Sequence, residues 1–535
     1  MPPIRTLSAV LAATLLSGLS AASQIPLQAA SKLDPAWKDL TLNLNSLLQH
    51  WPNTRYRNGH TIVPGTIPVG TLLYHGRPDS SLPDVPDWTA VDPEHSFPFC
   101  GSPAPGLFSP NTSAPGCWHL TLAATRPLKV LYFDGSSAAN MKLGTLDSQD
   151  LLLWGQVRPD MWMAERKRIE GLCAWGKEWG IDAYVRMEMD FEVMLCDFHS
   201  GVKLVSADYL ATWWPPRASP PAPLPPSIPE DVQRVLEAVR LEVIRGGSWH
   251  NRYPGDTRIA LDLTKLVSFY DTELVPSLIP HRLQTDRWDH RLQNISTNDA
   301  EAVTARIRAV LSNERSESSG VDWKTLYRVV VDRYADRLEL LQHLLHTFPP
   351  PSELEERAQT VHMQLRIMLA VYMPAGLSPS ENEDDSTWAA PVWQACATRH
   401  TSPIHDLLRL TPSERTLLYA LDRTQREICR VIVKMWEQGV RAGLDILIPS
   451  QSPILEVDPS VILRQWEKDT DTLVAWLDWS VWVKCRPACD PEEMCYLPTW
   501  PYFLPRWDDP EDDPKFSWKR PQPRCVRQVA PYERL

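Results

Sequence analysis

The chain has 535 residues, 43% of them hydrophobic, and a formal net charge of -12. That is enough apolar content to bury substantial cores in about two to four domains, and the acidic balance leaves no basic footprint for nucleic acid or an anionic membrane surface. Neither partner is expected.

Taken in chain order, the first residues carry one charge at Arg5, an apolar run from Leu7 to Leu19 and then Ser20, Ala21, Ala22 and Ser23. This is the pattern of a signal peptide over residues 1–23, and the run is short of the ~20 residues that span a bilayer. A secreted chain is expected. In an oxidising compartment the ten cysteines read as disulfides. Cys100 and Cys117 bracket a Pro/Gly-rich loop and are expected to pair, while Cys485, Cys489, Cys495 and Cys525 crowd the C-terminus and have the makings of two more bridges. The rival zinc reading lacks paired C-x-x-C knuckles, so no metal is expected. Asn111 and Asn294 sit in glycosylation sequons, which implies exposed loops.

Residues 24–275 read as an α+β domain. Thr71 to His75, Trp118 to Ala123, Leu128 to Asp134 and Tyr184 to Cys196 are strand-like, and Met161 to Trp179 is helical. The dense prolines of 213–229 form a linker or an excursion. Glu230 to Arg245 reads as a helix, and Arg258 to Tyr270 as a strand and turn that returns to the sheet. From 276 to 475 the 3.6-residue period predicts a helical domain. Asp322 caps one helix, Ser352 with Glu355 makes a capping box for a second, and Thr411 with Pro412 and Glu414 starts a third. An acidic loop, Ser380 to Ser386, splits this domain. The Cys/Trp/Pro-rich tail, 476–535, is expected to wrap the bundle, held by disulfides. The fold class is therefore α+β: a mixed α/β-strand domain, a helical bundle and an irregular tail.

Chemistry is most legible in Tyr184 to Cys196. Read as one strand, strict alternation puts Arg186, Glu188, Asp190 and Glu192 on one face and Val185, Met187, Met189, Phe191, Val193 and Leu195 on the other. Carboxylates in a row repel one another. Either they are solvated or paired with Arg186 and other basic groups, or they work on a sugar-like centre: as the acid and the nucleophile or base of a glycoside hydrolase, or as the carboxylates of an ADP-ribosyl transferase. No G-x-S-x-G elbow, phosphate loop or H-E-x-x-H motif is present. Trp249, His250, Asn251, Arg252 and Tyr253 have the composition of either a sugar or nucleotide pocket or an ordered turn.

Upstream, Pro68 to Arg77 ends in Tyr74-His75-Gly76-Arg77. Asp87-Trp88-Thr89-Ala90 follows, and then Asp92-Pro93-Glu94-His95-Ser96 starts a short helix. With Phe191-Glu192-Val193-Met194-Leu195, this ordered trio resembles the ADP-ribosyltransferase-like superfamily over about residues 60–200. In its His-Tyr-Glu branch a first strand ends in L-Y-H-G, a second leads into a helix and a late strand carries the catalytic Glu. The resemblance implies NAD as substrate, with transfer to a small-molecule or protein acceptor, or hydrolysis. It implies that His75 contacts the ribose and that the Gly76 backbone holds the carboxamide. Trp88 or Tyr74 would stack on nicotinamide, Glu192 would be catalytic and Asp190 would face the acceptor. It also requires His75 and Glu192 to face one cleft. The alternatives are a carbohydrate-active hydrolase and a non-enzymatic scaffold or binding protein.

Overall fold

The structure, a computed structural model, describes residues 35–48, 50–99, 117–210, 230–248, 258–312, 318–347, 349–377, 386–407, 409–445, 458–498 and 521–532, with the single residues 379, 447 and 500. The expected signal peptide, Cys100, Asn111, the proline-rich stretch 213–229, the Trp249–Tyr253 cluster and most of the acidic loop lie outside the described residues.

The elements in chain order are α1 (Pro35–Ser46), α2 (His50–Arg55), β1 (Asn58–Ile67), β2 (Leu72–Arg77), β3 (Asp87–Ala90), α3 (Pro93–Ser96), β4 (Cys117–Ala124), β5 (Leu128–Gly135), α4 (Asp147–Trp154), α5 (Glu165–Gly176), β6 (Ala183–Met187), β7 (Phe191–Leu195) and β8 (Val202–Leu210). They continue with α6 (Glu230–Ser248), β9 (Ala260–Leu261), β10 (Val267–Ser268), α7 (Ile279–Arg282), α8 (Thr297–Ser312), α9 (Trp323–His346), α10 (Leu354–Leu369), α11 (Ala390–Thr398), α12 (Ser402–His405), α13 (Pro412–Arg441), α14 (Pro459–Leu477), β11 (Glu493–Tyr496) and β12 (Arg524–Arg527). The class is α+β, as the composition and periodicity predict.

Two compact units divide the chain: a sheet unit of residues 35–339, 401–424 and 474–532, and a helical unit of 340–400 and 425–473. In the sheet unit the strands run β10-β1-β5-β6-β7-β3-β2-β4-β8, with β9 also on β1. The pairing of β9 and β10 with β1 is the predicted return of Arg258–Tyr270 to the sheet. β1 approaches β5 so closely that a Cβ on Gly59 would lie 2.2 Å from the Asp134 carbonyl carbon, so only glycine fits there.

The boundary expected at 276 is not where the structure divides. Val303, Ile307 and Leu311 of α8 enter one core with Leu131 and Phe133 of β5, Leu151 and Leu152 of α4, and Ile169 and Leu172 of α5, because the apolar face of α8 has this sheet to bury against. The tail meets the predicted bundle at α9, where Trp482 donates to the Ala335 carbonyl at 3.1 Å and Lys484 pairs with Glu339 at 3.0 Å, and it also packs on α6, with Tyr496 and Val526 against Leu241 and Ile244. Its cysteines do pair, as Cys485–Cys495 and Cys489–Cys525. Two further disulfides are Cys173–Cys196 and Cys396–Cys429, and Cys117 is disulfide-bonded.

Thr411 and Glu414 exchange backbone bonds at the start of α13, 2.8 and 3.1 Å, the reciprocal capping box. Asp322 caps α9 through the Thr325 amide, 3.0 Å. The Ser352–Glu355 box does not form: a 3-10 turn, Pro351–Glu353, leads into α10 with Glu353 at its N-cap and no side-chain cap. No helix among the described residues is long and apolar enough to cross a membrane.

Candidate functional site

The segment read as one long strand is a hairpin. β6 and β7 pair antiparallel with Met187 opposite Phe191 and Arg186 opposite Glu192. The turn between them is closed by the Glu188 amide on the Asp190 carbonyl, 3.2 Å, and by Asp190 Oδ1 accepting from the Phe191 amide, 2.7 Å. Aspartate is suited to such a turn because its short carboxylate reaches nearby backbone amides. The supposed row of carboxylates is thus broken by the turn, and Glu192 faces a cation across the strands. Asp190 is fully buried, so it supports the turn instead of facing an acceptor.

Arg186 joins a chain of alternating charges. Its guanidinium reaches Glu192 Oε1 at 2.7 and 2.8 Å, Glu165 Oε2 at 2.6 Å and Gln149 Oε1 at 3.2 Å. Glu165 Oε1 accepts from Arg168 at 2.8 Å, and Arg168 reaches Asp150 at 2.7 Å. Both arginines are buried, while the Glu192 side chain keeps 14% of its exposure. Burial raises the Glu192 pKa to about 7; Arg186 opposes this, and Glu188 and Glu165 add to it. Burial likewise raises Asp150 to about 6 against Arg168. Burial works against the Arg186 charge, but Glu165 and Glu192 outweigh it and hold its pKa above the ordinary value.

Beside this chain, His95 of α3 meets Glu188 at 3.3 Å with both side chains buried. Burial opposes the imidazolium, yet the Glu188 hydrogen bond and charge, with Asp190 and Glu192 behind it, raise its pKa to about 9. A histidine whose folded pKa is raised contributes stability that is fully present below the unfolded value near 6.5 and is lost as pH climbs through 9. Between pH 9.5 and 7 the stability should therefore rise by an increment on the order of 3 kcal/mol at ~1.4 kcal/mol per pKa unit, and the thermal midpoint should rise with it. His95→Gln should flatten that limb in a pH series of melts. Below pH 6.5 the buried histidines with lowered pKa, His60, His75, His119 and His290, oppose the gain from protonating Asp134, Asp150 and Glu192.

The three segments of the resemblance lie side by side, β2 next to β3 and β3 next to β7, and β3 leads into α3. Tyr74 stands opposite Ala90 and Ala90 opposite Glu192, so Tyr74, Trp88 and Glu192 share a face. His75 does not. It follows Tyr74 by one residue, so it points to the other face, where its ring lies 5.3 Å from Phe198 and its Nδ1–H donates to the Trp88 carbonyl at 2.7 Å. The common cleft required of His75 and Glu192 is absent, and His75 is a buried, neutral residue that ties β2 to β3.

The aromatic rings on the Glu192 face are already engaged. Tyr74 stacks on His119 at 5.7 Å, and the Arg166 guanidinium lies 4.7 Å over Trp88. Gly76 pairs with His119 of β4. The β2–β3 junction has a single registered pair, against four between β3 and β7 and six between β2 and β4. This makes it a seam in the sheet, one residue from Glu192. On the β4 side of the seam, a cavity of about 650 Å³ is lined by Glu94, Phe97, His119, Leu210, Leu241 and Tyr532. Sequence reasoning missed Arg168, Glu165 and His95. They lie in α3 and α5, and only the fold brings them to the hairpin.

The chain is similar to two yeast proteins of unstated function. The "YPL277C N-terminal domain" family model matches residues 109–212, a span that holds Asp150, Glu165, Arg168, Arg186 and Glu192 but not Tyr74, His75 or Trp88. Uncharacterized protein YOR389W of Saccharomyces cerevisiae is 24% identical over 86% of this chain and 80% of its own length. Uncharacterized protein YPL277C of the same organism is 26% identical over 57% of this chain and 74% of its own. No solved structure matches the chain.

Proposed function

We propose that this is a secreted enzyme acting at a glycosidic carbon, with NAD as the substrate and Glu192 as the carboxylate that stabilises positive charge at the ribose as nicotinamide leaves. The observation that carries the reading is Glu192 itself: a partly exposed carboxyl beside a seam in the sheet, fixed by Arg186, with its pKa near neutrality. That is the range in which a carboxyl serves as an acid or a base, and above it the ionised group can stabilise a cation. The adjacency of the three segments in the sheet fits the resemblance, but His75 on the opposite face does not meet its requirement of a shared cleft, so the reading rests on Glu192 and not on the resemblance. The disulfides support secretion, since such bonds persist in oxidising compartments.

In this reading His75 contacts no ligand. Arg186 takes over the task of holding the catalytic group, and Tyr74 or Trp88 meets nicotinamide only by releasing His119 or Arg166. A carboxylate that stabilises a cation must be ionised, so nicotinamide release under kcat/KM conditions should rise with pH through about 7. The test is to incubate the purified, disulfide-bonded protein with NAD at pH 6 and pH 8 and to measure free nicotinamide. Release that is faster at pH 8 supports the proposal. No release at either pH, with no heat of NAD binding, supports instead a non-enzymatic scaffold, the reading favoured by the pairing of Glu192 Oε1 with Arg186 and by the engaged rings of Tyr74 and Trp88.

A further inference from the structure

The helical unit holds a second cluster of chemistry-bearing groups, unrelated to Glu192. His346 lies in the last turn of α9, and Glu467 and Asp471 lie one turn apart on α14. His346 Nε2 is 2.9 and 3.0 Å from the two carboxylate oxygens of Asp471 and 4.0 Å from Glu467 Oε1. One donor atom from each of the three residues falls within 4.8 Å of the others. The geometry points to a divalent transition-metal site of the zinc class, with His346, Glu467 and Asp471 as ligands and solvent completing the coordination.

Four features carry this. Metal–ligand bonds of about 2.0–2.1 Å at tetrahedral angles place ligand atoms about 3.3 Å apart; the imidazole–carboxylate separations of 2.9 to 4.0 Å straddle that value, and the two carboxylates lie within 4.8 Å of each other. The i, i+4 spacing of Glu467 and Asp471 sets both carboxylates on one face of α14. Neither has an arginine or lysine ion-pair partner among the described residues; His346 is their sole such contact, so the pair presents two negative charges to one imidazole. Finally, Asp471 Oδ1 accepts from Gln342 Nε2 at 2.9 Å, and Gln342 lies one turn before His346. This is an outer hydrogen bond of the kind that orients a ligating carboxylate. The ligand side chains are 50%, 31% and 42% exposed, so an ion has direct access from solvent. One imidazole nitrogen with two carboxylates suits zinc or cobalt better than calcium or magnesium, which take all-oxygen sets.

The site joins residues far apart in sequence, and bound metal therefore raises stability by mass action. The experiment uses the full-length protein, stripped with chelator and free of any affinity tag. Co²⁺ is followed by its visible d–d absorption and Zn²⁺ by calorimetry, at pH 7.5. Wild type should bind one equivalent, with a rise in thermal midpoint. His346→Ala and Asp471→Asn, both at solvent-exposed positions, should bind at least about 10-fold more weakly and lose the rise. Equal binding by wild type and His346→Ala would place the ion elsewhere and overturn the assignment, as would no binding by wild type at 100-fold excess metal.

Discussion

Glu192→Gln should lower nicotinamide release from NAD by about 10²- to 10⁴-fold while leaving NAD affinity within a few-fold of wild type. The substitution keeps the size of the side chain and an oxygen that accepts from Arg186, so the contacts at 2.7 and 2.8 Å have a neutral counterpart. What is lost is the negative charge. A charge that meets its partner only as the ribose becomes cationic acts on the transition state and not on the bound substrate, so the loss belongs in kcat. The rising pH limb near 7 should vanish with it, because burial of this carboxyl is what places the limb there. Full activity in Glu192→Gln, or a loss confined to KM, would show that another group does the chemistry. A drop in activity that tracks a drop in the folded fraction by circular dichroism would assign Glu192 a purely structural part.

Much of this arrangement was written into local sequence, and the places where it was not share one cause. Thr411, Pro412 and Glu414 announce α13 because a capping box is decided within four residues. β2, β4 and β5 follow their runs of β-branched, aromatic and aliphatic residues to within a residue or two. The stretch Tyr184 to Cys196 misleads because a hairpin with a three-residue turn keeps the same alternation on both arms. With Met187 opposite Phe191, Arg186 and Glu192 return to one face after the turn as they would along an unbroken strand. The pattern therefore assigns the face correctly and the distances wrongly.

His75 shows the converse limit. The letters L-Y-H-G suit a ligand-binding strand, but the face of a side chain depends on register with β3, which rests on the pair Tyr74–Ala90 and has no local signal. The partners of Arg186 were hidden for the same reason. Glu165 and Arg168 are i, i+3 neighbours on α5, and nothing in that spacing says that the helix lies over the β6–β7 hairpin.

Arg186→Met should be the most destabilising single change in the sheet unit, by about 3–5 kcal/mol. Arg186 is fully buried and holds two carboxylates, Glu165 at 2.6 Å and Glu192 at 2.7 Å. Methionine fills much of the volume, so the cost is not a cavity but two anions left in a low-dielectric site with Arg168 as the remaining cation for Glu165. Each group then has to be desolvated unpaired or take up a proton. The sign with pH follows. Removing the arginine takes away the influence that lowers the Glu192 pKa, so the folded-state value climbs further above its unfolded one. The deficit is complete above that raised value and shrinks as pH falls through it. Melts of the variant should accordingly lie well below wild type at pH 8.5 and approach it near pH 5. Neutralising the anions as well, in Arg186→Met/Glu165→Gln/Glu192→Gln, should recover much of the loss at pH 8.5, because a pairless neutral site costs less than an unpaired charged one. A single variant as stable as wild type at pH 8.5 would mean that water reaches these carboxylates freely and that the raised pKa of Glu192 does not exist. If instead the triple variant is no more stable than the single one, the loss comes from packing of the arginine stem and not from charge.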